Sequence, residues 1–399
     1  PPLPHPWPQA ARDAFLSLLG SGEALVPTWE TCDRYGLVAA WLPEWNRLRG
    51  APQHNPVHRF TVDRHLVQTA AEASAYTREV ERPDLLLLGA LLHDVGKGLP
   101  GDHSKAGAPV AAAIATRIGL PEADVATLAR LVELHLLLPH VATRRDLSDP
   151  VTIATVAETV GDLGTLHLLH GIARADAAAT GPAAWSDWKG RLVADLVGKV
   201  ALALEQGELP RPPTPDPALV AGPLPAVHID GDRVAVAAAD RRGLLAAVAG
   251  CLAMHRLDVI SADATTVDGR ALVQFVVQPR YGTGPDPAPL AADLRRVASG
   301  DVSVTQRLRL AGRRGQGPAP KAVWHRGAAT DAVVLELRAA DAPGLLYRVA
   351  TALDQAGAEV RAARISTLGA DVVDAFYLVG SWNDEAERAR VEAAVLAAA

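Results

Sequence analysis

The sequence predicts a multidomain chain: an all-α first half, then two α+β ferredoxin-like units of β-α-β-β-α-β order. Three observations carry this. Apolar residues before residue 227 recur at helical spacing, with no convincing strand among them. Residues 207–226, opening Gly-Glu-Leu-Pro-Arg-Pro-Pro-Thr-Pro-Asp-Pro, hold no helical period and read as a linker. Beyond the linker, strand-like runs alternate with helices, and the pattern recurs at an offset of 101 residues.

Pro1–Pro8 is proline-rich and reads as extended. Helices are expected over Arg12–Leu19, Thr28–Leu42 and Val57–Val80. Pro83 opens a helix, Asp84–Asp94, that is apolar almost all round and so belongs in a core. Gly96 and Gly98 stop it. Further helices are expected at Ala106–Ile118, Glu122–Leu138, Pro150–Val160, Leu163–Ala179 and Trp185–Glu208. In the first repeat, strands are expected at Arg233–Ala238, Asp258–Thr266, Arg270–Gln278 and Val302–Leu310. Helices are expected there at Gly243–His255 and Pro287–Ala298. Asp240-Arg241-Arg242-Gly243-Leu244-Leu245 recurs as Asp341-Ala342-Pro343-Gly344-Leu345-Leu346, and Val248, Leu252, Ala262 and Phe275 recur as Val349, Leu353, Ala363 and Phe376. The second copy ends inside its last helix, so its final strand is expected to be missing or replaced. The resulting division is 1–54 helical lead-in, 55–206 helical domain, 207–226 linker, 227–311 first repeat, 312–330 second linker and 331–399 second repeat.

Composition narrows the function classes. The 399 residues are 49% hydrophobic and 21% charged, which suits folded domains with buried cores. A net charge of −6 argues against nucleic acid or a polybasic membrane contact as the main partner. The apolar stretches Leu85–Leu92 and Gly243–Met254 are too short to span a bilayer, and no signal peptide is visible. The two cysteines, Cys32 and Cys251, exclude a disulfide framework and a cysteine-based zinc site, and read as buried small hydrophobes of a cytoplasmic protein. Nine of the 13 histidines lie between His54 and His170, pointing to metal or proton chemistry in the first half.

The most informative segment is His93-Asp94-Val95-Gly96-Lys97-Gly98, where the buried helix ends. An imidazole beside a carboxylate offers mixed nitrogen and oxygen ligands to a divalent cation. An unpaired ionised carboxylate would be costly there, which favours a metal pair over a merely hydrogen-bonded one. His65, on the apolar side of its helix, and Asp176, near the end of a later one, complete four ligands from three helices. The alternatives are a core histidine and a helix-end carboxylate. His103 and His135 are optional further ligands. Asp94 and Lys97 are the candidate catalytic residues, Lys97 by neutralising a phosphate; the alternative is a charge favouring a helix C-terminus. Arg144-Arg145 reads either as a nucleotide or partner contact or as a solvated pair bonded to Asp146 or Asp149. His167, His170, Trp185 and Trp188 read as structural. In each repeat, the Asp-x-x-Gly-Leu-Leu turn frees helix N–H groups for a carboxylate, marking Asp240, Gly243, Leu244, Asp341, Gly344 and Leu345 as ligand-binding candidates.

The spacing His65 … His93-Asp94 … Asp176 resembles the HD phosphohydrolase superfamily. Longer strings narrow the match: Leu42-Pro43-Glu44-Trp45, Asn55-Pro56-Val57-His58-Arg59-Phe60-Thr61-Val62-Asp63-Arg64-His65, Asp102-His103-Ser104, Thr143-Arg144-Arg145-Asp146-Leu147-Ser148-Asp149-Pro150 and Ala178-Ala179-Thr180-Gly181-Pro182 resemble the PII uridylyltransferase/uridylyl-removing family. The two repeats resemble its tandem ACT domains. The resemblance implies an HD-type phosphodiesterase that removes UMP or AMP from the PII signal protein. Its metal would be Mn or Mg, with Fe or Zn as alternatives. Glutamine would act as effector through the ACT units, which would also offer a surface for self-association.

Three departures bear on this expectation. The family's N-terminal nucleotidyltransferase domain has no counterpart in these residues, and without an initiator Met the stretch reads as part of something longer. Leu134-His135 stands where paired histidines are expected, which counts against a second metal. Arg242 stands where the second turn has Pro343, so ligand binding is expected more at the second turn. Other readings are a non-catalytic glutamine-sensing module and, lower, another HD nucleotide hydrolase such as a (p)ppGpp hydrolase. Few lysines and many alanines fit a GC-rich bacterial genome.

Overall fold

The structure is a computed structural model. It describes residues 3–53, 59–181, 187–209, 219, 221–267, 269–282, 284, 286–301, 319–325, 329, 332–368 and 371–399. The chain divides into two compact units. One comprises Pro1–Ala142 and Ile153–Leu209, the other Thr143–Thr152 and Pro210–Ala399.

The first unit is helical: α1 Gln9–Leu19, α2 Leu25–Arg34, α3 Leu37–Trp41, α4 Trp45–Leu48, α5 Val62–Ala73, α6 Pro83–Leu92, α7 His103–Ile118, α8 Glu122–Leu134, α9 Leu137–Arg144, α10 Pro150–Val160, α11 Leu163–Thr180 and α12 Asp187–Gln206. The last two residues of α9 and the first three of α10 cluster with the second unit. The expected helix over Thr28–Leu42 is broken, because Gly36 takes a left-handed conformation between α2 and α3. The expected Val57–Val80 helix ends at Ala73 and continues as a 3-10 segment, Ser74–Glu79.

Every residue from Leu85 to Leu92 on α6 is buried, so α6 is the centre of the unit. It packs against α5, α8 and α11. Its crossing with α11 is close because each helix offers a glycine. A Cβ on Gly89 would lie 2.7 Å from Ile172 Cδ1, and one on Gly171 would lie 2.8 Å from Leu86 Cδ1. The run Glu122–Arg144 is long and apolar enough by composition to cross a membrane, contrary to the sequence reading of short stretches alone. Its residues Leu128, Leu131, Val132, His135 and Leu138 are buried in the protein.

The second unit is an eight-stranded antiparallel sheet with helices. Its elements are β1 Ala226–Asp230, β2 Arg233–Ala239, α13 Leu244–Met254, β3 Leu257–Val267, β4 Arg270–Pro279, α14 Pro287–Ala298, β5 Lys321–His325, β6 Ala332–Ala340, α15 Leu345–Gln355, β7 Val360–Leu368, β8 Asp371–Val379 and α16 Glu385–Ala398. The strand order is β1-β2-β4-β3-β7-β8-β6-β5. The repeats join where Ala262 on β3 pairs with Ala363 on β7, positions 101 residues apart.

Among the described residues each repeat runs β-β-α-β-β-α: the expected β-α-β-β-α run is present and an additional strand precedes it. The unexpected strands β1 and β5 pair with β2 and β6 and supply the outer edges. β5 lies inside the stretch expected to be a linker, and β1 begins at the end of the other. Short, half-exposed edge strands carry a weak apolar signal, and Pro and Gly nearby mask it. The expected strand Val302–Leu310 lies outside the described residues. The helices pack on one face of the sheet, where Val236, Leu252, Phe275, Leu335, Leu353 and Phe376 share one core.

Candidate metal centre

The close α6–α11 crossing brings the end of α6 to the last turns of α11. His93 caps α6 and Asp94 follows in the turn, so the doublet stands just beyond the helix rather than inside it. His65 Nε2, from α5, lies 2.9 Å from Asp176 Oδ1, and His93 Nε2 lies 3.7 Å from the same oxygen. On the other side of the doublet, Asp94 Oδ1 is 3.2 Å from His103 Nε2 and 3.6 Å from His135 Nε2. Two ligand groups result, His65–His93–Asp176 and Asp94–His103–His135, each with its ligand atoms within 4.8 Å of one another. The peptide between His93 and Asp94 joins them.

The ring orientations are set by the backbone. His93 Nδ1 is 2.8 Å from Ala90 O, and His135 Nδ1 is 2.7 Å from Val132 O. A carbonyl only accepts, so each Nδ1 carries a proton and each ring turns its Nε2 to the centre, where a cation would take the lone pair. The buried atoms His93 Nε2 and Asp94 Oδ1 make no hydrogen bond of good geometry. Buried polar atoms that converge without hydrogen bonds fit a bound cation, so the residues present suit a divalent metal.

Burial would push both carboxyls up. Instead, His93, His103 and Lys97 hold Asp94 well below the usual range, and His65 and His93 do the same for Asp176. Burial pushes the His135 ring down to about 4. Burial opposes the charged form of His93 too, but Asp94 and Asp176 outweigh it and raise the ring. Both carboxylates are therefore ionised ligands at neutral pH, and His135 is a neutral one. His65 is 1% exposed, whereas the side chains of Asp176 and His103 are 26% and 32% exposed. The centre opens to solvent on that side.

The structure brings together all six sequence-proposed ligands, His65, His93, Asp94, Asp176, His103 and His135. Lys97 Nζ lies 2.5 Å from Asp94 Oδ2 and also bonds Gln53. Two contributors escaped the sequence reading. Arg47 donates to Val95 O at 2.6 Å and to Lys97 O, fixing the turn after the doublet. Gly96 lets that turn press on α7: a Cβ there would meet His103 O at 2.0 Å. Arg47 carries no local signal, since its partners are backbone carbonyls about 50 residues away in sequence. Asn55–His58 and the Trp185 and Trp188 side chains lie outside the described residues. Cys251 is buried, but Cys32 is only half-buried.

In the second unit, Asp240, Gly243 and Leu244 line a cavity of about 750 Å³. Asp341, Gly344 and Leu345 line a much smaller one, about 70 Å³. The larger space thus lies at the first turn, opposite to the expected preference for the second. Arg144 is half-buried near Glu336 on β6.

Residues 62–160, which carry most of the proposed metal ligands, match the HD domain family model. Over 94% of its length the chain is homologous to the bifunctional uridylyltransferase/uridylyl-removing enzymes. It is 45% identical to the one from Streptomyces coelicolor, covering 53% of that protein, and 41% identical to the one from Mycobacterium tuberculosis, covering 50%. It is also 29% identical over 93% of its length to the one from Gluconobacter oxydans, covering 48%. The chain spans about half the length of these relatives and matches their C-terminal part.

Proposed function

We propose that this chain is a metal-dependent phosphodiesterase of nitrogen signalling that removes UMP, or AMP, from modified PII protein and responds to glutamine. The observation that supports it is the pair of three-residue ligand groups sharing the His93-Asp94 doublet at a solvent-open edge. The printed name of the relatives, which includes uridylyl removal, supplies the reaction. His65, His93 and Asp176 would hold one cation, and Asp94, His103 and His135 a second, Mn or Mg. A divalent cation supplies Lewis acidity to a phosphoryl oxygen and lowers the pKa of water.

The chain's own residues do the rest. Lys97, a quarter exposed beside Asp94, adds positive charge where phosphate oxygens gather in the transition state. Arg47 holds the turn that carries Lys97. The sheet repeats act as ACT-type glutamine sensors and as a surface for pairing with another copy. The protein works in the cytoplasm, with neither nucleic acid nor membrane as partner.

The test is nucleotide release from uridylylated and adenylylated PII by the purified chain, with Mn²⁺ and varied glutamine, beside Asp94→Ala. Release that needs metal, rises with glutamine and vanishes in the variant supports the reading. No release from a folded, metal-loaded chain overturns it.

A further inference from the structure

The larger cavity of the second unit is not built from the repeats alone. Asp146, Ser148, Asp149 and Pro150 line it as well. They belong to Thr143–Thr152, an arm that leaves the helical unit after Ala142 and returns to it at Ile153. The arm is held by charge. Asp146 Oδ1 lies 2.8 Å from Arg364 Nη2, and Tyr377 Oη accepts from the Asp146 N–H. Arg361 Nη2 is shared more loosely, 3.3 Å from Asp149 and 3.5 Å from Asp146. Arg361 also lies over the Tyr377 ring, 5.4 Å from its centroid.

The repeat register shows how special this is. Positions 101 residues before Arg361, Arg364 and Tyr377 hold Ile260, Asp263 and Val276. All three residues that grip the arm therefore belong to one repeat. The cavity at the second turn has no arm among its lining residues and is about a tenth the volume. The two grips also differ. Arg364 is mostly buried and close to two carboxylates, Asp146 and Asp263, whereas Arg361 faces the cavity with longer contacts.

We infer that Thr143–Thr152 is a wall of an amino-acid site at the first turn, and that a ligand carboxylate takes Arg361 from Asp149, so that the arm carries the cavity's occupancy to the metal unit. The inference rests on the glutamine reading for the identity of the ligand only. A zwitterion suits the lining: Arg361 and the N-terminal N–H groups of α13 for its carboxylate, Asp240 and Asp263 for its ammonium. The route onward is covalent. Arg144 ends α9, Pro150 begins α10, and His135 lies eight residues before Thr143.

The test uses the full chain with L-glutamine as probe, and Asp149→Asn, Arg361→Gln and Arg361→Lys. Asn keeps the polar cap that Asp149 gives Val151 N. Competition makes the two partners act in opposite directions: Asp149→Asn tightens glutamine at least about threefold, whereas Arg361→Gln weakens it at least about tenfold and Arg361→Lys less. In the wild type, glutamine speeds hydrogen exchange of amides 143–152 by about fivefold or more. Asp149→Asn shows that faster exchange, and a changed rate of bis-p-nitrophenyl phosphate hydrolysis, without ligand. Affinity shifts of the same sign, or arm exchange that changes while hydrolysis does not, overturn the inference. If glutamine fails to bind the wild type, the sensing reading falls by itself. The arm is then judged on the ligand-free comparison: hydrolysis altered by Asp149→Asn by about threefold or more sustains it, and unaltered hydrolysis overturns it.

Discussion

Gly96→Ala should damage the metal centre without touching a ligand. The new Cβ would stand 2.0 Å from His103 O, 2.5 Å from Gly107 N and 2.8 Å from Gly107 Cα. All three are backbone atoms, so no rotamer change relieves the overlap. Cβ contacts below 3.0 Å are essentially never seen, so the turn and α7 must separate by about 1 Å. His103 begins α7 and Asp94 precedes Gly96 by two residues, so the 3.2 Å His103–Asp94 approach opens with them. Ligand sets tolerate only about 0.2 Å. Forced overpacking of this kind costs about 3 kcal/mol or more. In a unit of this size that lowers Tm by about 6–12 °C. Metal affinity should fall by about 100-fold. Calorimetric melting in EDTA gives the first quantity, and titration with Mn²⁺ the second. Gly198→Ala is the control: nothing lies within 4 Å of its Cβ, and it sits in α12, where alanine should stabilise by about 0.5–1 kcal/mol. A Gly96→Ala chain that melts within about 2 °C of wild type and binds Mn²⁺ equally would refute the packing argument.

Asp94→Asn removes the carboxylate at the junction of both ligand groups and should lower nucleotide release at least about 100-fold, measured by chromatography of freed UMP. Metal analysis of the loaded chain should give two ions per chain, falling toward one in His135→Ala; a single ion in the wild type would sink the two-ion proposal. Lys97→Gln should cut release about tenfold, while Mn²⁺ affinity moves much less. His170, outside the ligand set, is pushed down to about 4, first by burial and then by Arg174. Its folded value lies below the unfolded one, so between about pH 4 and 6.5 the unfolded chain binds more protons and stability rises with pH. After discounting for partial exposure this is worth about 2 kcal/mol. In EDTA, His170→Gln should flatten that part of the stability profile relative to wild type, and an unchanged slope would show that another group governs it.

Local pattern settled much of this protein. Leu85–Leu92 announced a central helix, because a segment without a polar face can only be buried. The His-Asp doublet at its end, and the clustering of histidines in the first half, marked candidate metal ligands. The repeat was legible because both copies keep the same turn and core positions. What needed the tertiary structure was everything set by distance across the chain. His103 and His135 were optional in sequence, and the α6, α7 and α8 ends place both against Asp94. Arg47 serves the doublet from a remote helix through backbone carbonyls, which leave no residue signature. β1 and β5 are strands because β2 and β6 offer them an edge, not because of their own alternation. Arg144-Arg145 read as a nucleotide or partner contact or as a solvated pair bonded to Asp146 or Asp149; ion pairs of Asp146 and Asp149 with Arg364 and Arg361 made the segment an arm of the sheet unit. Propensity and periodicity act between near neighbours, whereas ligand sets and ion pairs join residues far apart in sequence, and only packing chooses among those combinations.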